Sequence, residues 1–145
     1  MTSPAPKRVV FVCVENSNRS QMAEAFARML GGDRVEAVSA GSRPSGRVNP
    51  KAVAAMAELG YDLTAHTSKG LAPFNGQPFD AAVTMGCGDA CPLVDARRRI
   101  DWQIPDPRDM GTDEFRNVRD LIRAKVRELL AERGVCRPSP SASEG

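Results

Sequence analysis

The chain has 145 residues, 41% of them hydrophobic and 26% charged, with a formal net charge of +2. That length suits a single domain with a real core, and so small and evenly spread a charge excludes a nucleic-acid binder built on a basic face. The longest early apolar run, Val9 to Val14, is too short to cross a bilayer and has no secretory pattern, so a cytoplasmic protein without a membrane partner is expected.

In chain order, residues 1–6 have little to bury and are expected to be flexible. Arg8 to Cys13 is an apolar run without alternation, which predicts a strand buried on both faces. The polar loop from Cys13 to Ser20 follows. Ser20 to Leu30 predicts a helix with Met22, Phe26, Met29 and Leu30 on one stripe, ended by Gly31 and Gly32. A second strand is expected over Arg34 to Ser39, then a Gly/Pro/Ser-rich loop from Gly41 to Val48. Asn49 as N-cap and Pro50 in the first turn open a helix that runs to Leu59 and stops at Gly60.

Tyr61 to Phe79 reads as irregular, and Asp80 to Met85 as a third buried strand. The basic cluster Arg97-Arg98-Arg99 reads as a solvated loop, before a short fourth strand over Ile100 to Gln103. Thr112 caps a long helix with Asp113 and Glu114 in its first turn. Its stripe is Phe115, Val118, Ile122, Val126 and Leu129, and Gly134 closes it. The Pro/Ser tail 135–145 has nothing to bury and is expected to be disordered, which leaves 7–134 as the single folded domain.

Strands alternating with helices predict a three-layer α/β domain, a four-stranded parallel sheet flanked by helices in the flavodoxin-like manner. Ligands in such sheets sit beyond the carboxyl ends of the strands. Cys13, the loop after Met85 and the loop after Gln103 all fall on that edge.

The segment Val14, Glu15, Asn16, Ser17, Asn18 and Arg19 can hold an oxyanion. A loop that wraps into a helix N-terminus aims several backbone N–H groups at one spot, and the helix dipole adds positive potential. Arg19 contributes a planar fork suited to a tetrahedral oxyanion. The same field stabilises a thiolate on Cys13, which makes it a nucleophile. Ser20 is placed to donate a hydrogen bond to that sulfur and help it leave, and Asn16 to brace the turn through its amide. The bland alternative, Cys13 as a small buried hydrophobe, suits a lone cysteine better than Cys-x5-Arg-Ser between a strand and a helix. Competing phosphate motifs fail: no Gly-x4-Gly-Lys-Ser/Thr occurs, and Gly86-Cys87-Gly88 lacks the third glycine of a dinucleotide loop.

"CVENSNRSQMAEAFA" together with "IPDP" resembles the low-molecular-weight protein tyrosine phosphatase superfamily, and within it the arsenate reductases of that fold. The resemblance runs from about Val9 to Leu130, with "NRSQMAE", "VSAGS", "VNPKAV" and "HTSKG" typical of the reductase branch. It implies a low-molecular-weight-phosphatase-like domain that takes arsenate, or phosphate and sulfate as analogues; for this chain no cofactor or metal is expected.

Cys87 and Cys91 lie four apart in a glycine-bearing loop. Hydrolysis of a phosphate ester needs one cysteine, because water regenerates it, whereas reduction of arsenate needs two electrons that thiols can supply. The reductase resemblance implies a relay. Cys13 attacks arsenic, Cys87 attacks Cys13 with release of arsenite, and Cys91 attacks Cys87 to leave a disulfide that thioredoxin reduces. Reductases that space this pair further apart leave the order of attack by Cys87 and Cys91 open. Coupling to mycothiol or glutaredoxin would make Cys91 or Cys87 dispensable. A zinc site using the cysteines and His66, the one histidine, is the weaker alternative.

Asp106 in "IPDPRD" is the expected general acid, since a departing oxygen needs a proton. Asp109 is the second choice. Phosphatases of this fold place tyrosines just after that aspartate, whereas "DPRDMGTDEF" has none and the sole tyrosine is Tyr61. That favours a small inorganic substrate. Some reductases of the family hold potassium with an Asn, a Glu, a Ser and an Asp. Asn16, Glu24 and Ser39 match three of these, and Lys69 stands where the Asp would be, so its ammonium is expected to replace the ion or else to be a plain surface group. His66 is read as structural and Cys136 as incidental, while Trp102 either lines the pocket or packs on the sheet. Two further readings stay open: a phosphatase acting on a phosphomonoester, and a non-enzymatic sensor whose cysteines capture arsenite.

Overall fold

The run Lys7–Cys13 forms the first strand, β1. Its missing alternation follows from burial on both faces, with Val9 and Phe11 in one core cluster and Val10 and Val12 in another. The structure, a computed structural model, describes residues 7–70, 78–85, 96–107 and 109–132. Cys87, Cys91, Cys136 and Gly134, and with them the expectations for residues 1–6 and 135–145, lie outside the described residues.

The other described elements are helix α1 (Arg19–Gly31), strand β2 (Val35–Gly41), helix α2 (Pro50–Ala57), strand β3 (Phe79–Thr84), strand β4 (Ala96–Asp101) and helix α3 (Thr112–Glu132). The strands make one parallel sheet in the order β2-β1-β3-β4. The α/β class expected from the alternation of elements is what forms. The register pairs Cys13 with Gly41, Val12 with Thr84, and Thr84 with Asp101. All four strands therefore end on one edge, as the Cys13 loop requires.

Two sequence expectations change. The arginines 97–99 lie in β4 rather than a loop, and the strand starts four residues before Ile100. Because β4 is an edge strand, backbone pairing with β3 needs no apolar side chains, and exposed arginines discourage pairing with another chain. On α1, Met29 is 43% exposed, not part of the buried stripe. The buried face is instead Met22, Ala23, Ala25, Phe26 and Ala27, wide because α1 sits against both the sheet and α3. Trp102 packs on the core, its ring centroid 6.0 Å from that of Phe11.

Asn49 caps α2 as expected, its side chain accepting from the Lys51 N–H at 2.9 Å, with Pro50 in the first turn. Phe115, Val118, Ile122, Val126, Leu129 and Leu130 of α3 are buried in the cluster that also holds Phe11 and Phe26. Burial of each such side chain stabilises by roughly 1.5–3 kcal/mol, well above the tenths that separate helix propensities. Tertiary packing therefore fixes α3.

At the C-terminal end of α2, Glu58 accepts from Arg116 of α3 at 2.7 Å and from the buried Arg119 at 2.6 Å. The Arg116 hydrogen bond first, then that of Arg119, holds the Glu58 carboxyl down to about 2 from an ordinary 4.5. A depressed carboxylate contributes stability above its unfolded value, and that contribution fades as pH falls toward the folded one. Glu58→Gln should therefore melt below the wild type at neutral pH, with the gap closing between about 4.5 and 2. A gap independent of pH in circular-dichroism melts would contradict this.

Candidate active site

β1 ends at Cys13, 2% exposed, and α1 begins at Arg19, so five residues turn the chain from strand to helix. Within them Asn16 is fully buried with φ of 53°, a left-handed conformation that asparagine tolerates better than most residues. Val14 and Glu15 are half-buried, and Ser17 and Asn18 are buried.

Five successive carbonyls are held from outside. Those of Cys13, Val14, Glu15 and Ser17 accept from the N–H groups of Ser42 (3.1 Å), Arg43 (2.7 Å), Ser45 (3.0 Å) and Asn49 (3.1 Å). The carbonyl of Asn16 accepts from Gln21 Nε2 at 3.0 Å. In a planar trans peptide the N–H of the next residue points opposite to the carbonyl, and no cis bond occurs among the described residues. The N–H groups of residues 14–18 are thereby turned away from these partners, which is how a loop makes an anion-binding concavity. Gly41 allows the grip. A Cβ there would lie 2.6 Å from the Val14 carbonyl oxygen and 2.9 Å from the Asn16 nitrogen, both backbone atoms.

Ser20 Oγ lies 2.9 Å from Cys13 Sγ. Asn16 Nδ2 donates to the same Oγ at 2.8 Å, so Asn16 braces the loop through its amide. Arg19 is 7% exposed, donates Nη1 to the Ile104 carbonyl at 3.1 Å, and stands 3.7 Å from Asp106 Oδ2. The fork and the candidate acid thus share one corner of the site, with the Asp106 side chain 47% exposed.

Beneath the loop lies a buried carboxylate, Glu24. Ser39 Oγ donates to its Oε1 at 2.6 Å, and Arg28 pairs with its Oε2 at 2.9 Å. Lys69 Nζ stands 4.0 Å from Oε1, while the Lys69 backbone N–H donates to Asn16 Oδ1 at 2.8 Å. Burial pushes the Lys69 ammonium below its ordinary value of 10.5, against the pull of Glu24. Burial likewise pushes the His66 imidazole below 6.5, again opposed by Glu24.

The structure thus brings together Cys13, Asn16, Arg19, Ser20 and Asp106, and separately Glu24, Ser39 and Lys69. Sequence reasoning missed Gly41, Gln21 and the Ile104 and Thr67 carbonyls. Gln21 carried a faint signal, a polar residue beside Ser20 at the start of a helix. His66 is bonded at one nitrogen to Gln21 and at the other to Tyr61. Asp109 is exposed.

A strand-tip cysteine, a loop with its amides turned inward and an adjacent arginine form a constellation suited to a tetrahedral oxyanion. Residues 8–135 match the model of the low molecular weight phosphotyrosine protein phosphatase family, and the chain belongs to that family. A glutaredoxin arsenate reductase of Synechocystis sp. is 40% identical over 129 residues, 87% of this chain and 98% of that protein. Arsenate reductase 1 of Staphylococcus epidermidis is 39% identical over 131 residues, 88% of this chain and 97% of that one. A solved arsenate reductase in the phosphate binding state superposes with a TM-score of 0.78 at 37% identity, covering 87% of this chain and 98% of its own. A thioredoxin-dependent arsenate reductase of Corynebacterium glutamicum gives 0.75 at 32% identity, with 91% and 63% covered.

Gly41→Ala should press a methyl group into the loop backbone and weaken phosphate binding by roughly tenfold or more, with the fold retained. Titration calorimetry with inorganic phosphate reads this directly. Unchanged affinity would mean that the loop does not depend on the close approach.

Proposed function

We propose that this chain reduces arsenate to arsenite by a relay of three cysteines. Cys13 beside the Ser20 hydroxyl at 2.9 Å, in a loop whose carbonyls at residues 13–17 are turned outward, with Arg19 next to Asp106, supports the oxyanion chemistry, and the further thiols Cys87 and Cys91 favour reduction over hydrolysis. Its relatives' names point the same way.

The Cys13 thiolate forms a sulfur–arsenic bond while Arg19 and the loop amides hold the remaining oxygens. The departing oxygen takes a proton from Asp106 and leaves as water. The Cys87 thiolate then attacks Cys13 Sγ. The sulfur–arsenic bond breaks with its electron pair on arsenic, which becomes arsenite, and a Cys13–Cys87 disulfide remains. Cys91 attacks Cys87, frees the Cys13 thiolate, and leaves Cys87–Cys91 for an external dithiol. Reach supports the second step. The Met85 N–H donates to the Val12 carbonyl at 2.8 Å, beside Cys13, and Cys87 is two residues further, at most about 7 Å of chain.

Thioredoxin is the proposed donor, because a relay ending on a Cys87–Cys91 pair presents a protein disulfide. The name of the Synechocystis relative supports a glutaredoxin-coupled reading instead, in which one of the pair is dispensable. A reducing cytoplasm suits either reading, and no helix among the described residues is long and apolar enough to cross a membrane.

The test is an arsenate-dependent assay coupled to thioredoxin and thioredoxin reductase, run in parallel with glutaredoxin and glutathione. It is applied to the wild type, each Cys→Ser variant and Asp106→Asn. Turnover with thioredoxin that is lost in Cys13→Ser, Cys87→Ser and Cys91→Ser is expected, as is a slowing by roughly a hundredfold or more in Asp106→Asn. Full turnover by Cys91→Ser with thioredoxin would overturn the relay. Rapid hydrolysis of p-nitrophenyl phosphate without any reductant would favour a phosphatase.

The cluster beneath the loop does not fit a potassium ion. Glu24 already meets the Arg28 guanidinium and the Lys69 ammonium, and the Ser39 hydroxyl donates to it. Lys69 takes the place of the cation in this reading. Replacing sodium with potassium at constant ionic strength should leave rate and melting temperature unchanged. A clear gain in either refutes the substitution.

A further inference from the structure

Behind Ser20 a row of polar side chains continues past the loop, and the chemistry of each atom fixes which way its hydrogens point. Asn16 Oδ1 faces two donors, the Lys69 N–H at 2.8 Å and Gln21 Nε2 at 2.9 Å, so that atom is the oxygen. Nδ2 is then the atom that faces Ser20 Oγ at 2.8 Å. With Oγ accepting from Asn16, the single hydroxyl hydrogen of Ser20 goes to Cys13 Sγ.

The same reasoning orders the next links. Gln21 Nε2 faces three oxygens, Asn16 O (3.0 Å), Asn16 Oδ1 (2.9 Å) and Thr67 O (2.9 Å). Its Oε1 is therefore what meets His66 Nδ1 at 3.0 Å, and a carbonyl oxygen only accepts, so Nδ1 carries a hydrogen. Glu24 Oε2, the competing acceptor, is further away at 3.6 Å and already paired with Arg28. In neutral His66 the other nitrogen, Nε2, is bare, and it accepts from the Tyr61 hydroxyl at 2.6 Å. Burial, which disfavours the charged imidazole, is consistent with the neutral form.

We propose that Tyr61, His66 and Gln21 are positioning residues for the Cys13 thiolate, acting through a one-way chain of hydrogen bonds that runs from the Tyr61 hydroxyl to the sulfur. Tyr61 donates to His66, His66 to Gln21, Gln21 to Asn16, Asn16 to Ser20, and Ser20 to Cys13. Each group that accepts becomes a better donor at its next link, so the chain polarises toward its negative end. Asn16, Ser20 and Gln21 are fully buried and the His66 side chain is 6% exposed, which keeps water from substituting along the row. The consequence at the site is a Ser20 hydroxyl locked as a donor, both when the thiolate attacks and when it departs.

The proposal concerns the same site as the reduction, but its readout is thiol chemistry alone, so the two stand or fall separately. The test measures iodoacetamide alkylation of Cys13 against pH in the full chain, resolved by peptide mass spectrometry. Tyr61→Phe and His66→Asn, which keeps an N–H toward Gln21, should each move the profile to higher pH and slow alkylation on its acid limb by about twofold; His66→Leu should do so more strongly. In a Ser20→Ala background the Tyr61→Phe effect should vanish, because the path to sulfur is cut. Profiles for Tyr61→Phe and His66→Asn that superimpose on the wild type would overturn the proposal, whatever their melting temperatures, and so would a Tyr61→Phe effect that persists without Ser20. Those two mild variants decide the matter even if His66→Leu fails to fold.

Discussion

The site rests on a grip on one edge of a backbone loop. The carbonyls of residues 13–17 are drawn outward by Ser42, Arg43, Ser45, Asn49 and Gln21, and peptide planarity turns the matching N–H groups the other way. An isolated loop of this kind would adopt many shapes, and an anion would have to organise it on binding. Here that ordering is achieved during folding, by β2 and the segment that follows it. Gly41 is the necessary small residue, because the two backbones approach too closely for any side chain between them. The left-handed Asn16 is the corresponding cost, held by hydrogen bonds at its carbonyl and both ends of its amide.

A second constraint lies underneath. Glu24 is a buried carboxylate, and a lone buried charge would be costly. Arg28, Ser39, Lys69 and the nearby His66 supply its surroundings from three parts of the chain. The network ties the 67–69 segment to α1 and β2, and Lys69 is bound twice, through its ammonium near Glu24 and its backbone N–H on Asn16. Charge balance below the loop and loop geometry above it are therefore one problem. A buried cluster of this kind is weak evidence for stability, and its better-founded role is to select one arrangement over others.

The sequence was legible where chemistry is contiguous. Cys13, Arg19 and Ser20 sit within eight residues, and one loop conformation brings Ser20 against the sulfur. The position of Asp106 beside Arg19 was readable for a different reason, since the carboxyl ends of parallel strands converge on one edge whatever the details of register. Gly41 and Gln21 were not readable, because their importance depends on which residue lies opposite in a strand register and on where Thr67 crosses. His66 read as structural, and the role proposed for it depends on the direction of hydrogen bonds that no spacing encodes. The arginines of β4 misled because an edge strand needs only its backbone, and Met29 because α1 buries a wider face than a narrow stripe.

The cradle alone does not choose between hydrolysis and reduction. Phosphate and arsenate are both tetrahedral oxyanions, so in the proposed mechanism the amides, Arg19 and a proton from Asp106 would serve the first displacement equally well. The two reactions diverge after the covalent bond to Cys13 has formed. Hydrolysis then needs only water, whereas reduction needs a second sulfur within bonding distance of the first. A phosphorus–sulfur intermediate offers that sulfur nothing, because phosphorus does not accept the electron pair as arsenic does. The specificity in the proposed mechanism is therefore chemical more than steric. It resides in the second thiol, Cys87, which follows by two residues the Met85 that is anchored by its hydrogen bond to Val12.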